Sequence, residues 1–383
     1  GEALSDADRK VLYDTMGKAD GAAANRKSAR AEFELGQAAL GLPPAHGARV
    51  AAQEDDLDGT QIPAIRDRKT QHACVKILHP RRVGHVHAHV AEGKLRNRGH
   101  RSMRLATFKT AQGASYGAVT AKGIVDLRRF LGNQYPDLKA LIADDGFSKI
   151  HPYLSEAPDY KPSDITWLPV IPNPDKIVCV GLNYQDHVVE TGRDNTEQPA
   201  IFLRLPESQV GHKQPILRPR ESTHLDFEAE IAVIIGKPGR RISQKDAWGH
   251  IAGYSCYNDG SVRDWQRHTI QWTAGKNFAQ TGGFGPWMVT ADDIPPGTKM
   301  TLSCRLNGER MQHATTEQMI FRIPKIIEYV STWTTLLPGD VLVTGTPGGV
   351  GARRTPPVWM KPGDKVEIEI DKVGVLENSI ADG

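Results

Sequence analysis

Two glutamates in one apolar stretch are the first candidates for chemistry. Glu228 and Glu230 stand two residues apart between Leu225 and Ile235, and alternate residues of a β-strand lie on the same face of a sheet. Two such carboxylates repel each other, and burial raises a pKa unless a cation lies between them. Hard cations such as Mg²⁺ take oxygen ligands of this kind. The pattern predicts a divalent-metal site, although an exposed acidic strand face fits the same spacing.

A third carboxylate, Asp259, follows the apolar stretch that begins at Gly253 and runs out into a polar turn. The ends of strands are common places for functional sites. A single aspartate there is also typical of a turn or a helix cap. Asp259 is therefore a candidate because of the two glutamates, and Asp226, on the same strand face as those glutamates, is interpreted as a supporting residue.

A histidine and a glutamate form the second candidate pair. His187 and Glu190 follow the predicted strand from Ile177 to Val180, and helical spacing brings residues three apart together. A carboxylate beside an imidazole orients the ring and favours its uptake of a proton, which suits a general base for water. The alternative interpretation is an ion pair on the surface.

Two further features are suited to binding an anion. Lys276 stands between small and aromatic residues, and the glycine-rich stretch from Thr344 to Gly351 follows a predicted strand. Backbone N–H groups and a hydroxyl in such a loop can bind an anion. A nucleotide phosphate loop would need Lys-Ser/Thr and a following helix, which this sequence lacks. A carboxylate is therefore the predicted ligand.

The elements that must position these residues are mostly strands. Alternating or continuous apolar segments predict strands over residues 105–110, 115–127, 177–180, 229–235, 250–258, 287–290, 300–306, 340–344 and 365–370. Helices are predicted over residues 138–143 and 320–336. Because strands and helices do not alternate regularly, a doubly wound or barrel fold is disfavoured. We predict an α+β chain built on a mixed β-sandwich roll.

Composition and charge exclude several classes of protein. The first 102 of the 383 residues hold 17 of the 48 Lys+Arg and 13 of the 45 Asp+Glu, so the rest of the chain is nearly neutral. A nucleic-acid partner would call for a basic stripe on the folded domain. No apolar run reaches the roughly 18 residues of a membrane span. Four scattered cysteines and a charged beginning predict a cytoplasmic protein.

The chain is predicted to have three parts. Residues 1–102 contain few large apolar side chains, so we expect a poorly ordered or non-native segment there. A small β-rich subdomain is expected over residues 103–172. A proline-rich connector then leads into the catalytic domain, predicted over residues 173–383.

The ordered motifs around His187, Glu228, Asp259, Lys276 and the glycine-rich stretch resemble the fumarylacetoacetate hydrolase superfamily over roughly residues 103–383. For its smaller bacterial-type members, the resemblance implies a mixed β-sandwich roll and a homodimer. It also implies Mg²⁺ or Mn²⁺ held at the positions of Glu228, Glu230 and Asp259. His187 with Glu190 matches a base pair on a mobile lid, and Lys276 matches an active-site lysine.

The resemblance further implies substrate contacts at Arg263, Gln266 and Thr346. Arg204 is a departure, because many members carry lysine at this position. Arginine keeps the positive charge and adds a planar fork that can bind a carboxylate in bidentate fashion. Arg204 is therefore predicted to contact the far end of the substrate.

The implied activity is metal-dependent hydrolysis of a C–C bond in a small 2-oxo acid of the acylpyruvate or fumarylpyruvate type, as in aromatic catabolism. His187, oriented by Glu190, would activate water, and the metal with Lys276 would stabilise a pyruvate enolate. One alternative is decarboxylation or isomerisation of an unsaturated 2-oxo dioate. Another is a metal-binding homologue that keeps the fold without turnover.

Overall fold

The computed structural model describes residues 103–194 and 196–383. The segment predicted to be poorly ordered or non-native, residues 1–102, lies outside the described residues. In the part that is described, the strands are β1 Arg104–Thr110, β2 Gly113–Thr120, β3 Gly123–Asp126, β4 Thr166–Trp167, β5 Ile177–Gly181, β6 Ala200–Arg204, β7 Gln209–Val210, β8 Ile216–Arg218, β9 Leu225–Asp226, β10 Ala229–Ile235, β11 Ile251–Asn258, β12 Ser261–Val262, β13 Gly282–Thr290, β14 Thr301–Leu306, β15 Glu309–Thr315, β16 Val341–Val343, β17 Lys365–Ile370 and β18 Gly374–Asp382.

The helices of the described residues are short. The α-helices are α1 Arg128–Leu131, α2 Leu138–Ala143, α3 Phe147–Ile150, α4 Gln185–Thr191, α5 Arg263–Gln266, α6 Thr273–Lys276 and α7 Ile323–Trp333. Single 3₁₀ turns occur at His151–Tyr153, Pro206–Ser208, Ala247–His250, Ala291–Asp293, Thr316–Gln318 and Gly351–Arg353. Across these two ranges no helix combines the length and the apolar character that crossing a bilayer requires.

Two large mixed sheets organise the strands. The larger has 11 strands in the order β3-β2-β1-β13-β11-β10-β16-β5-β6, with β4 beside β1 and β7 beside β13. Most neighbours are antiparallel, but β16 and β5 run parallel. The second sheet has five strands in the order β15-β14-β17-β18-β8, of which β18 and β8 are parallel. The predicted α+β class with mixed sheets is confirmed.

The main hydrophobic core joins the two sheets and α7. Ile231 and Val233 of β10 belong to the same buried cluster as Leu302 of β14, Ile368 of β17 and Ile327 of α7. Each such side chain stabilises the fold by roughly 1.5–3 kcal/mol on burial. All seven residues of β10 are buried, as expected for a central strand covered on both faces. The strand that contains Glu230 and directly follows Glu228 is thus anchored in the core.

The predicted small subdomain is continuous with the larger sheet. β1 pairs with β13 through Leu105 and Met288, and Leu141 of α2 packs in one cluster with Ile177 and Val341. The pairing covers backbone groups that an isolated β1–β3 unit would leave on an open edge. Residues 103–172 therefore share a sheet and a core with the remainder, and the boundary at residue 172 stays a prediction.

Turn and helix ends account for the differences in element bounds. The predicted strand over residues 115–127 is two strands, β2 and β3, joined by a turn. The helix predicted over residues 320–336 is shorter, since α7 begins at Ile323 with Pro324 in its first turn, a position that proline favours. α2 has the predicted bounds.

Candidate active site

Three buried carboxylates meet at the end of the β10–β11 pair. Glu228 precedes β10, Glu230 lies within it, and Asp259 follows β11. The antiparallel register sets Ala229 opposite Asn258, and the Asp259 N–H donates to the Glu228 carbonyl at 2.9 Å. One oxygen from each carboxylate lies within 4.8 Å of the others. Ligand oxygens sit about 2.0–2.6 Å from Mg²⁺ or Ca²⁺, so the acidic triad (Glu228, Glu230 and Asp259) is consistent with one divalent ion.

Two buried cations compensate part of the acidic triad. The Lys276 Nζ, at the end of α6, lies 2.7 Å from Glu228 Oε2 and 2.6 Å from Asp259 Oδ2. Arg263 Nη2 lies 2.7 Å from Glu228 Oε1. Burial by itself would raise the pKa of the Glu228 carboxyl, but the charges of Lys276 and Arg263 outweigh it and lower that pKa to about 2. Glu228 is therefore ionised and held in place.

Glu230 is the least compensated member of the acidic triad. Burial, followed by the negative charges of Asp259 and Glu228, raises its pKa well above the usual range. Lys276 and a hydrogen bond from the Gly345 N–H act in the opposite direction. A bound cation would remove this repulsion, and three carboxylate oxygens are the donor set that Mg²⁺ or Mn²⁺ prefers. The residues present thus fit the metal that the motifs imply.

Arg204 lies behind the acidic triad instead of in the cavity. Its Nη1 donates to Asp259 Oδ1 and, at 2.9 Å, to the Gly260 carbonyl. Its Nε donates to Ser208 Oγ at 3.2 Å, and Nη2 donates to Thr281 Oγ1 at 3.1 Å. The side chain is fully buried. Strand β6 directs the guanidinium toward Asp259, so the structure does not place Arg204 in the cavity where the predicted contact with the far end of a substrate would be made.

The histidine–glutamate pair lies on α4 as the helical spacing predicts. His187 Nδ1 is 2.7 Å from Glu190 Oε1. The other carboxylate oxygen of Glu190 accepts a hydrogen bond from the Gly349 N–H at 2.9 Å. The helix ends at Thr191 and is followed by Gly192, whose φ of +65° is the left-handed conformation that glycine favours after a helix. With Nδ1 engaged by Glu190, Nε2 of His187 is the nitrogen left for proton transfer.

A cavity of about 280 Å³ brings most of the predicted site residues together. The predicted residues that line it are His187, Glu228, Glu230, Arg263, Gln266, Lys276 and Thr346. Arg263 Nη1 donates to Gln266 Oε1 at 2.9 Å. Glu190, Asp259 and Arg204 do not line the cavity. Glu190 contacts His187 and Asp259 contacts Lys276, both of which line it, whereas Arg204 contacts Asp259 one layer further back.

Several supporting residues carry no local sequence signal. Gln312 on β15 accepts a hydrogen bond from the Ala229 N–H at 2.9 Å and donates to Thr346 Oγ1 at 2.8 Å. Asn183 holds the Thr344 carbonyl at 2.7 Å. These contacts join residues more than 30 positions apart, so sequence spacing cannot reveal them. A polar residue directly after an apolar strand, as at Asn183, is the one feature that could have drawn notice.

Asp226 supports the cavity from beneath. Its carboxylate accepts from Arg263 Nε at 2.8 Å, the Gly351 N–H at 2.8 Å and the Ala352 N–H at 2.9 Å. It therefore ties Arg263 to the end of the glycine-rich stretch, in the supporting position that the sequence indicates.

The cavity mouth also carries three arginines that no motif identified, namely Arg193, Arg267 and Arg353.

Comparison with known sequences gives a consistent result. Residues 176–381 match the family described as fumarylacetoacetate (FAA) hydrolase C-terminal. The mitochondrial oxaloacetate tautomerase FAHD2A of Bos taurus is 38% identical over 290 residues, which are 73% of this chain and 92% of that protein.

Comparison with solved structures extends the likeness to the fold. A fumarylacetoacetate hydrolase from Exiguobacterium antarcticum superimposes with a TM-score of 0.65 at 31% identity, covering 74% of this chain and 100% of that one. A maleylpyruvate hydrolase from Sphingobium sp. SYK-6, in complex with manganese(II) and pyruvate, gives a TM-score of 0.62 at 29% identity, covering 73% and 100%.

Proposed function

Because this chain belongs to the fumarylacetoacetate hydrolase superfamily, we propose that it catalyses keto–enol tautomerisation of a small 2-oxo dicarboxylic acid such as oxaloacetate. The observation that carries the proposal is the buried acidic triad, in which one oxygen of each carboxylate lies within 4.8 Å of the others. Two of its members, Glu228 and Glu230, line the cavity together with Lys276 and Arg263. The named activity of the bovine relative, whose sequence is matched over 92% of its length, supports oxaloacetate as the substrate. The superfamily expected from the sequence is kept, whereas the proposed reaction changes from hydrolysis of a C–C bond to tautomerisation.

The residues of the acidic triad would hold Mg²⁺ or Mn²⁺, and the manganese in the similar maleylpyruvate hydrolase supports this choice. A divalent cation held there would supply Lewis-acid polarisation of the 2-oxo group. Arg263 and Gln266 line the cavity beside the acidic triad, where the guanidinium suits the substrate's 1-carboxylate. Lys276 uses two donors on Glu228 and Asp259, so its third N–H is free to stabilise charge that develops on the 2-oxygen.

Tautomerisation needs a group that moves one proton. In the keto-to-enol direction the base takes a proton from C3, the electron pair forms the C2=C3 bond, and the C2=O electron pair moves to the 2-oxygen. The 2-oxygen then takes up a proton from water, and the base gives the C3 proton back to water, so that no net proton is gained or lost. His187 faces the cavity and is oriented through Nδ1 by Glu190, so we assign its Nε2 as the group that takes and returns the C3 proton. The proposed reaction therefore uses His187 as the base together with a divalent cation at the acidic triad.

Hydrolysis of an acylpyruvate is the second candidate. It is favoured by the same histidine–glutamate pair, which could activate a water molecule instead of C3, and by the likeness to a maleylpyruvate hydrolase with pyruvate bound. The products would be pyruvate and a carboxylic acid. Both candidates use the same residues and differ in whether water reaches His187.

The test compares two substrates in one purified protein. We expect the rate at which enol-oxaloacetate disappears to exceed that in buffer, to fall on chelation with EDTA, and to return with Mg²⁺ or Mn²⁺. For comparison, the same protein is incubated with a panel of acylpyruvates and the release of pyruvate is measured. Pyruvate release without acceleration of tautomerisation would replace the proposal by the hydrolase, and no turnover of either substrate would leave a metal-binding homologue.

Two further predictions accompany the proposed activity. A homodimer is proposed. Leu203, in the edge strand β6, and Leu205, directly after it, are 50% and 54% exposed and are apolar side chains that an interface would cover. The cytoplasmic location remains a prediction from the sequence, while the bovine relative is described as mitochondrial.

A further inference from the structure

Three arginines surround the mouth of the cavity. Arg193 follows α4, Arg267 directly follows α5, and Arg353 ends the 3₁₀ turn after the glycine-rich stretch. All three line the same cavity as the acidic triad residue Glu228. They come from three distant parts of the sequence, so the fold alone assembles this arginine cluster (Arg193, Arg267 and Arg353).

The arginine cluster lacks carboxylate partners, unlike the cations deeper in the cavity. Lys276 and Arg263 each contact carboxylates at 2.6–2.8 Å. Within residues 103–194 and 196–383, no ion pair involves any member of the arginine cluster. The deeper part of the cavity is therefore compensated, and the mouth carries uncompensated positive charge.

The guanidinium groups of Arg193 and Arg353 each make one other contact within the described residues. The Arg193 Cζ lies 5.2 Å from the centre of the Trp272 ring, which leaves the N–H groups available. Arg353 Nη2 makes a single 3.3 Å hydrogen bond to the Thr191 carbonyl. Each guanidinium carries five N–H donors, so most donors at the mouth are free for a ligand.

The positive charges of the arginine cluster repel one another at Arg267. Its pKa is lowered first by burial, and then by the positive charges of Arg353, Arg263 and Arg193, with Asp226 acting in the opposite direction. Arginine stays protonated despite such a shift. A bound anion would relieve this repulsion and gain charge-assisted, bidentate hydrogen bonds.

We propose that the arginine cluster is a second carboxylate site, which binds the distal carboxylate of the substrate and selects 2-oxo dicarboxylic acids over monocarboxylic ones. The proposal rests on the proposed function, because it requires the 2-oxo acid end to lie at the acidic triad. It also assigns the far-end contact, expected from the sequence at Arg204, to Arg193, Arg267 and Arg353.

Calorimetric titration with three unreactive ligands, in the presence of Mg²⁺, tests the two ends of the cavity separately. Malate and 2-hydroxybutanoate share the 2-hydroxy acid end and differ in whether the other end is a carboxylate or a methyl group. Oxalate is too short to have a distal carboxylate and reports on the acidic triad alone. For the unchanged protein we expect malate to bind at least about tenfold more tightly than 2-hydroxybutanoate.

The variant that tests the site is Arg267→Gln combined with Arg353→Gln. We expect it to weaken malate binding by about 10- to 100-fold while oxalate and 2-hydroxybutanoate bind as before. Arg220→Gln is the matched control, since Arg220 is an exposed arginine that does not line the cavity, and it should change none of the three affinities.

Two results would overturn the second carboxylate site while leaving the proposed function intact. One is equal affinity of the unchanged protein for malate and 2-hydroxybutanoate. The other is an equal loss of all three ligands in the double variant, which would mean that these arginines support the whole cavity. If the unchanged protein does not bind oxalate in a metal-dependent way, the proposed function itself fails, and the second site fails with it.

Discussion

The floor of the cavity and the wall formed by α4 are held in place by different means. The acidic triad of the floor lies in and directly beside two paired strands of the 11-stranded sheet, β10 and β11. It is fixed by Lys276, Arg263 and Arg204. Helix α4 has seven residues. Its two hydrogen bonds to the glycine-rich stretch and the turn after it run from the Gly349 N–H to Glu190 and from Arg353 to the Thr191 carbonyl.

This difference separates two tasks. Buried, charge-compensated groups on a sheet cost no reorganisation during a reaction, so they suit electrostatic stabilisation of any 2-oxo acid. A short helix with few contacts opens locally at lower cost than a core strand. We infer that the floor determines that the substrate is a 2-oxo acid and that the α4 wall determines which proton is moved.

The largest expected effect tests the floor. Glu230→Ala removes a proposed metal ligand, and the only cluster of three possible ligands among the described residues contains it. We therefore expect metal-dependent turnover of oxaloacetate to become undetectable, with a loss of at least about 10³-fold. The fold should persist, because the substitution also removes repulsion with Glu228 and Asp259. Turnover assays with a metal titration check this, with Glu221→Ala as an exposed control. Retained activity would place the catalytic metal elsewhere.

The second prediction tests the wall. His187→Ala is expected to lower kcat by about 10²- to 10⁴-fold, the usual contribution of a general base, while oxalate affinity stays unchanged. Val189→Ala, an exposed position on the same helix, should leave both quantities unchanged. A large loss on acylpyruvates combined with normal oxaloacetate tautomerisation would instead assign His187 to the activation of water.

A smaller effect concerns the support beneath the floor. Arg204→Met removes the cation that holds Asp259 from behind, and we expect metal affinity to fall about 10- to 100-fold, as for other residues that orient metal ligands. Arg204→Lys keeps the charge and should recover most of the affinity. Calorimetric metal titration of both variants is the measurement, and equal affinity of Arg204→Met and the unchanged protein would contradict this role.

The smallest expected effect lies outside both regions. A chain that begins at Met103 should keep kcat, KM and melting temperature, because residues 1–102 offer little apolar surface to offset the entropy of ordering. Assays of the shortened and full chains, side by side, measure this. Loss of both folding and turnover would show that the first 102 residues form a domain that the rest requires.

Local periodicity explains how the sequence identified two pairs of site residues, whereas Arg263, Gln266 and Thr346 were implied by the family resemblance. The two-residue repeat of a strand aligned Glu228 with Glu230, and the turn of a helix aligned His187 with Glu190. Both relations involve neighbours in the chain, so backbone geometry sets them wherever the segment folds as predicted. The apolar runs likewise predicted the β10 and α2 segments with their observed bounds.

Tertiary structure decided what lies between those segments. Asp259 reaches the glutamates through the register of β10 and β11, and Arg204 turns toward Asp259 across 55 residues. The arginine cluster is drawn together from positions 193, 267 and 353 by the cavity that they line. Such contacts depend on strand order and core packing, which are properties of the whole chain, and no spacing within a single segment encodes them.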